Sequence, residues 1–357
     1  MKLLKKKDDK KTEQEKVEER REEVLAAGRK FKYPLQWTKH RVVVNTILIA
    51  IIVLGIVITS GWLALYKFNM TDEMLFRITK IIPISVAEVD GEKVRFSDYL
   101  MFYRSSITSI ERQSSQNDSR NSSIDDLRSQ YRRSALSEAE EYTYAMKLAK
   151  EQNITVSDEE IDTEFNRHLG IGGIERSEES FMKIVSENFG LSKSEYKRML
   201  YLNLIKSKVE IAIDDNANNL ANRVEASLKE NGGDYSATAD ALGDAIEFQE
   251  TGGMVSAQNI DGGRASEAIK LEPGGETGKF VSMNGDGYYF VKLIKKTENE
   301  VNFVSIKVPF NEFKSRFDQL VVDGKVNEFI DPSPSSDSEL SPAPDQEPNS
   351  EPENTEQ

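Results

Sequence analysis

The chain has 357 residues, with 47 Lys+Arg against 61 Asp+Glu, two His and no Cys. The absence of Cys excludes a disulfide framework, thiolate-held zinc and a thiol nucleophile, and His40 and His168 alone do not make a His-rich metal site. A net charge of −14 is the opposite of the basic footprint of a nucleic-acid binder, so no nucleic-acid partner is expected.

That charge is unevenly spread. Residues 1–41 hold 14 of the bases and 8 of the acids, leaving 33 and 53 for residues 42–357. The first twenty-odd residues, KKKDDKKTEQEKVEERREEV, alternate in sign and read as a solvated helix or a disordered arm. Between the two blocks, Val42–Tyr66 carries no charge. At ~1.5 Å per residue it reaches ~37 Å, enough to cross a hydrocarbon core ~30 Å thick, and the lipid bilayer is its expected partner. Arg29, Lys30, Lys32, Lys39 and Arg41 crowd its N-terminal side without an acid among them. Positive flanks resist translocation, so the expected topology is a single pass with a cytoplasmic N-terminus and residues 67–357 outside. Forty polar residues before the apolar run do not fit a cleaved signal peptide.

After a linker at 67–83, SVAEVDGEKVRF reads as two strands around an Asp90-Gly91 turn, with Ser97 capping a helix. Residues 114–123 read as a polar loop. Apolar residues from Ile124 to Ala149 then recur at three- and four-residue steps, predicting one long helix ending near Asn153. Ser157 with Glu160, and Ser192 with Glu195, are capping boxes opening further helices, and a helix over 180–189 stops at Gly190.

Beyond Asp214 the pattern becomes mixed. Helices are expected over 216–230 and 235–242. Strands are expected in GKFVSM, GYYFVKLIK and VNFVSIKV, and a last helix over 311–329 is broken at Gly324. The Gly-Gly pairs at 252, 262 and 274 read as turns, because no GK[ST] follows any of them. Residues 331–357 hold six of the ten prolines, eight acids and no base, a composition that forms no core. The fold class is therefore α+β, with a membrane helix, a mainly helical domain and a small α+β domain.

Three segments in this order resemble the SurA/PpiD/PrsA group of bacterial extracytoplasmic chaperones: VAEVDGEKVRFSDYL (86–100), MKLAKEQNITVSDEEIDTEF (146–165) and GLSKSEYKRMLYLNLIKSKV (190–209). The region 211–298 is similar to a parvulin-type peptidyl-prolyl isomerase. The similarity rests on NRVEASLKENGGDYSATADALGD (222–244), Gly252-Gly253, LEPGGETGKF (271–280) and Gly287–Leu293. The resemblance implies a SurA-like helical domain over 84–210, completed by 299–330, with the parvulin-like domain inserted between. It also implies residence in the bacterial cytoplasmic (inner) membrane, unfolded polypeptides as partners, contact with a translocon and no cofactor or metal.

Parvulins surround the substrate proline with two His, a Cys or Asp, and apolar walls. Here the first strand is expected at Glu210–Ile213, with no His, and the second His position is Tyr289. The wall positions fall near Val255 and Ala265, and Asp244 keeps the acid's place. Asp244 and Tyr289 are thus the candidate catalytic pair, with a hydrogen bond between them, and Val255, Ala265 and Tyr289 the candidate substrate contacts. Met101, Tyr103, Tyr142 and Met146, with Phe102, Met199 and Tyr201, are candidates to line a client cleft, against the simpler reading that most are core. His168 is expected on the surface. The leading function is a membrane-anchored folding helper with an inactive parvulin domain. The alternatives are an active isomerase with a substituted pocket and a non-catalytic scaffold subunit of an envelope complex.

Overall fold

The computed structural model describes residues 13–114, 121–170 and 175–332. The segment 115–120 within the expected loop and all but the first two residues of the acidic, Pro-rich tail lie outside the described residues. The chain divides into two compact units, with the boundary between Phe68 and Asn69.

The first unit is a helix, α1 (Glu13–Trp62), running on through one wider turn at Leu63–Lys67. Its segment Arg41–Lys67 has a mean hydropathy of 2.9, and residues 41–60 are all exposed. Ile47, Ile51, Leu54 and Ile58 each expose more than half of their surface. Ordinary core helices hide one face; from Val42 to Ser60 this one is apolar all round and exposed, a length and composition compatible with a membrane anchor, and only near its end does Leu65 become buried.

The second unit begins with α2 (Glu73–Ile81), followed by a hairpin of β1 (Ser85–Val89) and β2 (Glu92–Arg95). Asp90 and Gly91 both have positive φ (46° and 88°), the turn that the Asp-Gly pair predicts. Then come α3 (Phe96–Ser114), α4 (Asn121–Glu151), α5 (Asp158–Leu169), α6 (Glu178–Phe189) and α7 (Lys193–Ile213). Helix α3 starts at Phe96, one residue before the expected cap, and α4 already includes 121–123, expected as loop. Both capping boxes form: Ser157 and Ser192 accept from the amides of Glu160 and Glu195, and each Glu accepts from its Ser amide. Helices α3 and α4 bury Leu100, Met101, Phe102, Leu136 and Ala145 in the core.

Helix α7 continues to Ile213, so Glu210–Ile213 is helical where a strand was expected. Asp214 then turns the chain into α8 (Asp215–Glu230) and α9 (Tyr235–Leu242). A sheet follows from β3 (Glu247–Glu250), β4 (Val255–Ser256), β5 (Phe280–Val281), β6 (Gly287–Lys296) and β7 (Glu300–Pro309), in the order β3-β7-β6-β5 with β4 also on β7. Short α10 (Arg264–Ala268) covers one face. Side chains alternate across β6 as the pleat requires. Tyr288 and Phe290 pack with Val224 and Tyr235 of α8 and the α9 start, while Val291 and Leu293 pack with Ala265 and Ala268 of α10.

Of residues 299–330, β7 therefore belongs to this sheet, and α11 (Glu312–Val322) with β8 (Val326–Glu328) returns to the helices. Phe313 and Phe317 of α11 pack on Tyr144 of α4, with ring centroids 5.5 and 6.0 Å away. Residues 326–328 are a strand and not the end of a helix, because they pair antiparallel with Ala87–Val89 of β1. Asp214 fixes the crossing point. It is 3 % exposed, accepts from Ala217 N (2.8 Å) through Oδ1, and from Asn311 N (2.8 Å) and Glu312 N (3.0 Å) through Oδ2.

Candidate functional site

Between the helices and the sheet lies a cavity of about 950 Å³. One wall comes from α4, α5 and α7, through Tyr142, Glu164, Arg167, His168, Asn203, Lys206 and Glu210. The other comes from two loops, 257–263 and the β5–β6 turn 282–286. A second hollow of about 500 Å³ shares Ile260, Asp261, Asn284 and Asp286 with the first and runs on to Gln249, Arg264, Tyr289 and Lys307.

The helical wall is charged but internally paired. Glu164 holds Arg167 and, at 3.1 Å, His168 Nε2, while His168 Nδ1 shares a 2.5 Å hydrogen bond with the Tyr196 hydroxyl. Burial raises the Glu164 carboxyl, yet the hydrogen bonds from Arg167 and His168 outweigh it and bring its pKa down to about 2. Lys206 donates to Glu141 at 2.6 Å and lies 4.0 Å from Glu210. Burial pushes Glu138 and Glu210 each up to about 7, against the attraction of Lys206. Tyr142 is hydrogen-bonded to Asn203 and stacked on Phe102, 5.2 Å between centroids.

The loop wall is built on glycine. Gly262 and Gly263 have φ of 76° and 93°, and a Cβ on Gly262 would lie 2.7 Å from Ser282 Oγ and 3.1 Å from the Tyr289 ring. Only glycine lets the two loops approach this closely, with Met283 N donating to Gly262 O at 2.9 Å. The approach leaves Ile260 80 % and Met283 46 % exposed at the cavity. Arg167 Nη1 reaches across to Met283 Sδ at 3.5 Å.

In the second hollow, the Tyr289 hydroxyl donates to Asp286 Oδ2 (3.4 Å), and Lys307 pairs with the same oxygen at 3.0 Å. Arg264 lies over the Tyr289 ring, 5.0 Å from its centroid. Burial raises Asp286, but hydrogen bonds from Ser282 and Lys307 carry its pKa below the ordinary value; burial and Asp286 together raise Tyr289.

Among the sequence-named residues, Tyr142 lines the cavity and Tyr289 the second hollow. The partner of Tyr289 is Asp286; Asp244 sits exposed in the turn Gly243–Ala245, outside both linings. Ala265 is fully buried in the α10 core, with Val255 packed against the same cluster. Met101, Phe102 and Tyr103 are core, and Met146 accepts a long contact from Arg198 at 3.7 Å. Met199 and Tyr201 are partly buried outside the cavity lining, with Arg198 over the Tyr201 ring. His168, expected on the surface, is half-buried: its side chain is 19 % exposed, lines the cavity and meets Tyr196 of α7. Sequence reasoning missed Arg167, Lys206, Ile260, Met283, Asp286 and Lys307. The one signal for some of them was the Asn284-Gly285 turn beside Met283 and Asp286. No cluster of metal-ligating side chains occurs among the described residues.

A family model for the SurA-like N-terminal domain matches residues 35–210. Over those residues the chain is similar to SurA-like N-terminal domains. The match takes in the apolar helix and ends inside α7, before the C-terminal sheet. It agrees with the SurA/PpiD/PrsA resemblance of segments 86–209 and points to a chaperone-like role in folding. No curated relative and no solved structure matches the chain.

Proposed function

We propose that this protein is a membrane-anchored extracytoplasmic chaperone that holds unfolded, newly translocated polypeptide in the cavity between its SurA-like helices and its C-terminal sheet. The cavity itself carries this reading. Its volume of about 950 Å³ takes several side chains at once, one wall is adaptable loop, and Ile260 and Met283 offer exposed apolar contacts beside polar groups. Such a surface binds by composition and not by sequence. The apolar helix Arg41–Lys67 supports anchoring in the inner membrane, with the basic flank inside. Domain roles follow: 1–41 cytoplasmic arm, 42–66 anchor, 67–83 linker, 84–210 with the returning α11 and β8 as chaperone body, and 211–298 extended by β7 as a parvulin-like domain without isomerase activity.

The test is aggregation of a chemically denatured model protein, followed by light scattering with the full chain in nanodiscs. Suppression at near-equimolar chaperone supports the reading. No suppression favours a scaffold subunit that binds no client.

One observation favours a second reading, a working isomerase. Tyr289, Asp286, Lys307 and Arg264 gather polar groups around a hollow in the parvulin-like sheet. X–Pro rotation faces a barrier of ~18–20 kcal/mol, which positioned polar groups beside the amide can lower. A proline-limited refolding assay decides: a rate no faster than background rules out isomerase activity.

A further inference from the structure

Helix α2 follows the apolar helix after a five-residue link, Phe68–Asp72. One of its faces is fixed to the protein. Phe76 is 1 % exposed, with the Arg104 guanidinium 4.6 Å and Lys80 Nζ 5.4 Å from its ring centroid. Glu73 pairs with Arg104 at 2.7 Å and Lys80 with Glu195 at 3.0 Å, tying both ends of α2 to α3 and α7.

The opposite face is apolar and bare. Met74, Ile78 and Ile81 stand at i, i+4 and i+7, and the chain continues into Ile82. Met74 is 74 %, Ile81 84 % and Ile82 53 % exposed, while Ile78 is partly buried. A helix pinned by two ion pairs and a buried ring does not present these side chains through looseness. Its polar member, Arg77, is paired with Glu73 along the helix and has a long stem that reaches water from an interface.

Chain connectivity names the occupant. Met74 is seven residues beyond Lys67, and seven residues extend at most ~25 Å. If Arg41–Lys67 spans the bilayer, the stripe is held within reach of the headgroup layer at all times. We propose that Met74, Ile78, Ile81 and Ile82 dip into the headgroup–acyl boundary of that bilayer, so that α2 lies on the membrane and seats the chaperone body against it. The inference rests on the anchor reading above. The ligand is a phospholipid surface, gripped by apolar side chains inserted about 5–10 Å deep, as interfacial helices are.

The absence of Cys makes single labels simple. Met74→Cys, Ile81→Cys, Ile52→Cys and Val322→Cys in the full chain are each coupled to an environment-sensitive nitrobenzoxadiazole dye. The proteins are reconstituted in phosphatidylcholine–phosphatidylglycerol vesicles. Labels at 74 and 81 are expected to shift to the blue and to lose about half their intensity to a shallow doxyl lipid, with the Ile52→Cys label quenched by a deep one. The Val322→Cys label, at a position 79 % exposed, is expected to report water. A quenched label at 52 with water-like labels at 74 and 81 overturns the inference and leaves the anchor standing. No quenching at 52 overturns the anchor, and the inference with it. Labels at 74 and 81 shielded from aqueous iodide but blind to doxyl lipid overturn it in favour of a protein partner. Equal quenching at 322 means adsorption of the whole body and also overturns it.

Discussion

The two walls of the cavity differ in how they are held. The helical wall is a set of locked charges: Glu164 with Arg167 and His168, and Lys206 with Glu141, on helices whose inner faces are core. The loop wall is held by backbone contacts between two glycine-bearing turns and leaves Ile260 and Met283 open. One wall supplies a paired polar frame and the other an exposed apolar edge. For the client holding proposed above, the paired frame would keep the cleft open and the exposed edge would meet chains of varied sequence.

If the helical wall is rigid because of the core behind it, its aromatic residues matter for stability and not for clients. Phe102→Ala is expected to lose about 3–5 kcal/mol in urea unfolding, since it empties the space against Tyr142. A loss below about 1 kcal/mol would show that Phe102 is not packed as described.

The joint between the regions comes next in size. Asp214→Ala leaves three amides without their carboxylate and is expected to cost about 2–3 kcal/mol. It is also expected to raise amide exchange at the start of α11, measured by mass spectrometry. Unchanged exchange there would separate the joint from the docking of α11.

The loop wall should behave in the opposite way. Ile260→Ser with Met283→Ser is expected to move stability by less than about 0.5 kcal/mol, as exposed sites do. The same pair is expected to weaken client holding about tenfold, worth ~1.4 kcal/mol. Full client holding by this double variant would move the binding surface elsewhere.

The smallest expected effect is the pH dependence of the helical body. Glu140 is 4 % exposed, with Oε1 unpartnered among the described residues. Burial, with Glu328 adding repulsion, pushes its pKa up to about 8. A carboxyl raised in the folded state contributes stability that is fully present below its unfolded pKa and lost as pH rises through the folded one. The melting temperature should therefore fall between pH 5 and pH 8, by about 3 °C more than in Glu140→Gln. Glu164 has the opposite sign: its low pKa of about 2 gives stability that is kept at neutral pH and lost only in strong acid. Identical slopes for wild type and Glu140→Gln would refute the burial account.

The helical region was legible because its signals are local. A capping box is complete within four residues, and the apolar spacing of 124–149 marks α4 and its buried side without reference to the rest of the chain. The apolar, uncharged run at 42–66 likewise announced a membrane-length helix, exposed over residues 42–60. Family resemblance added the chaperone-like role, through motifs carried by the same helices.

The candidate site was legible only in part. Tyr289 was named for its place in a resembling strand, but its partner was misassigned. Asp286 lies three residues away along the chain, and only the hairpin between β5 and β6 turns it back towards the hydroxyl. Residues 326–329 carry nothing that distinguishes a broken helix from a strand, and pairing with Ala87–Val89 decides it.

By itself the sequence determined the membrane-length helix, the helical body with its caps, and the uneven charge of a basic arm before an acidic remainder. Tertiary structure alone decided which charges meet in the cavity, which aromatics are core, and where β7, α11 and β8 belong. The reason is range: helix caps and amphipathic spacing act over one or two turns, whereas a cavity is closed by contacts such as Asp214 to Asn311 and Arg167 to Met283, about a hundred residues apart in the chain.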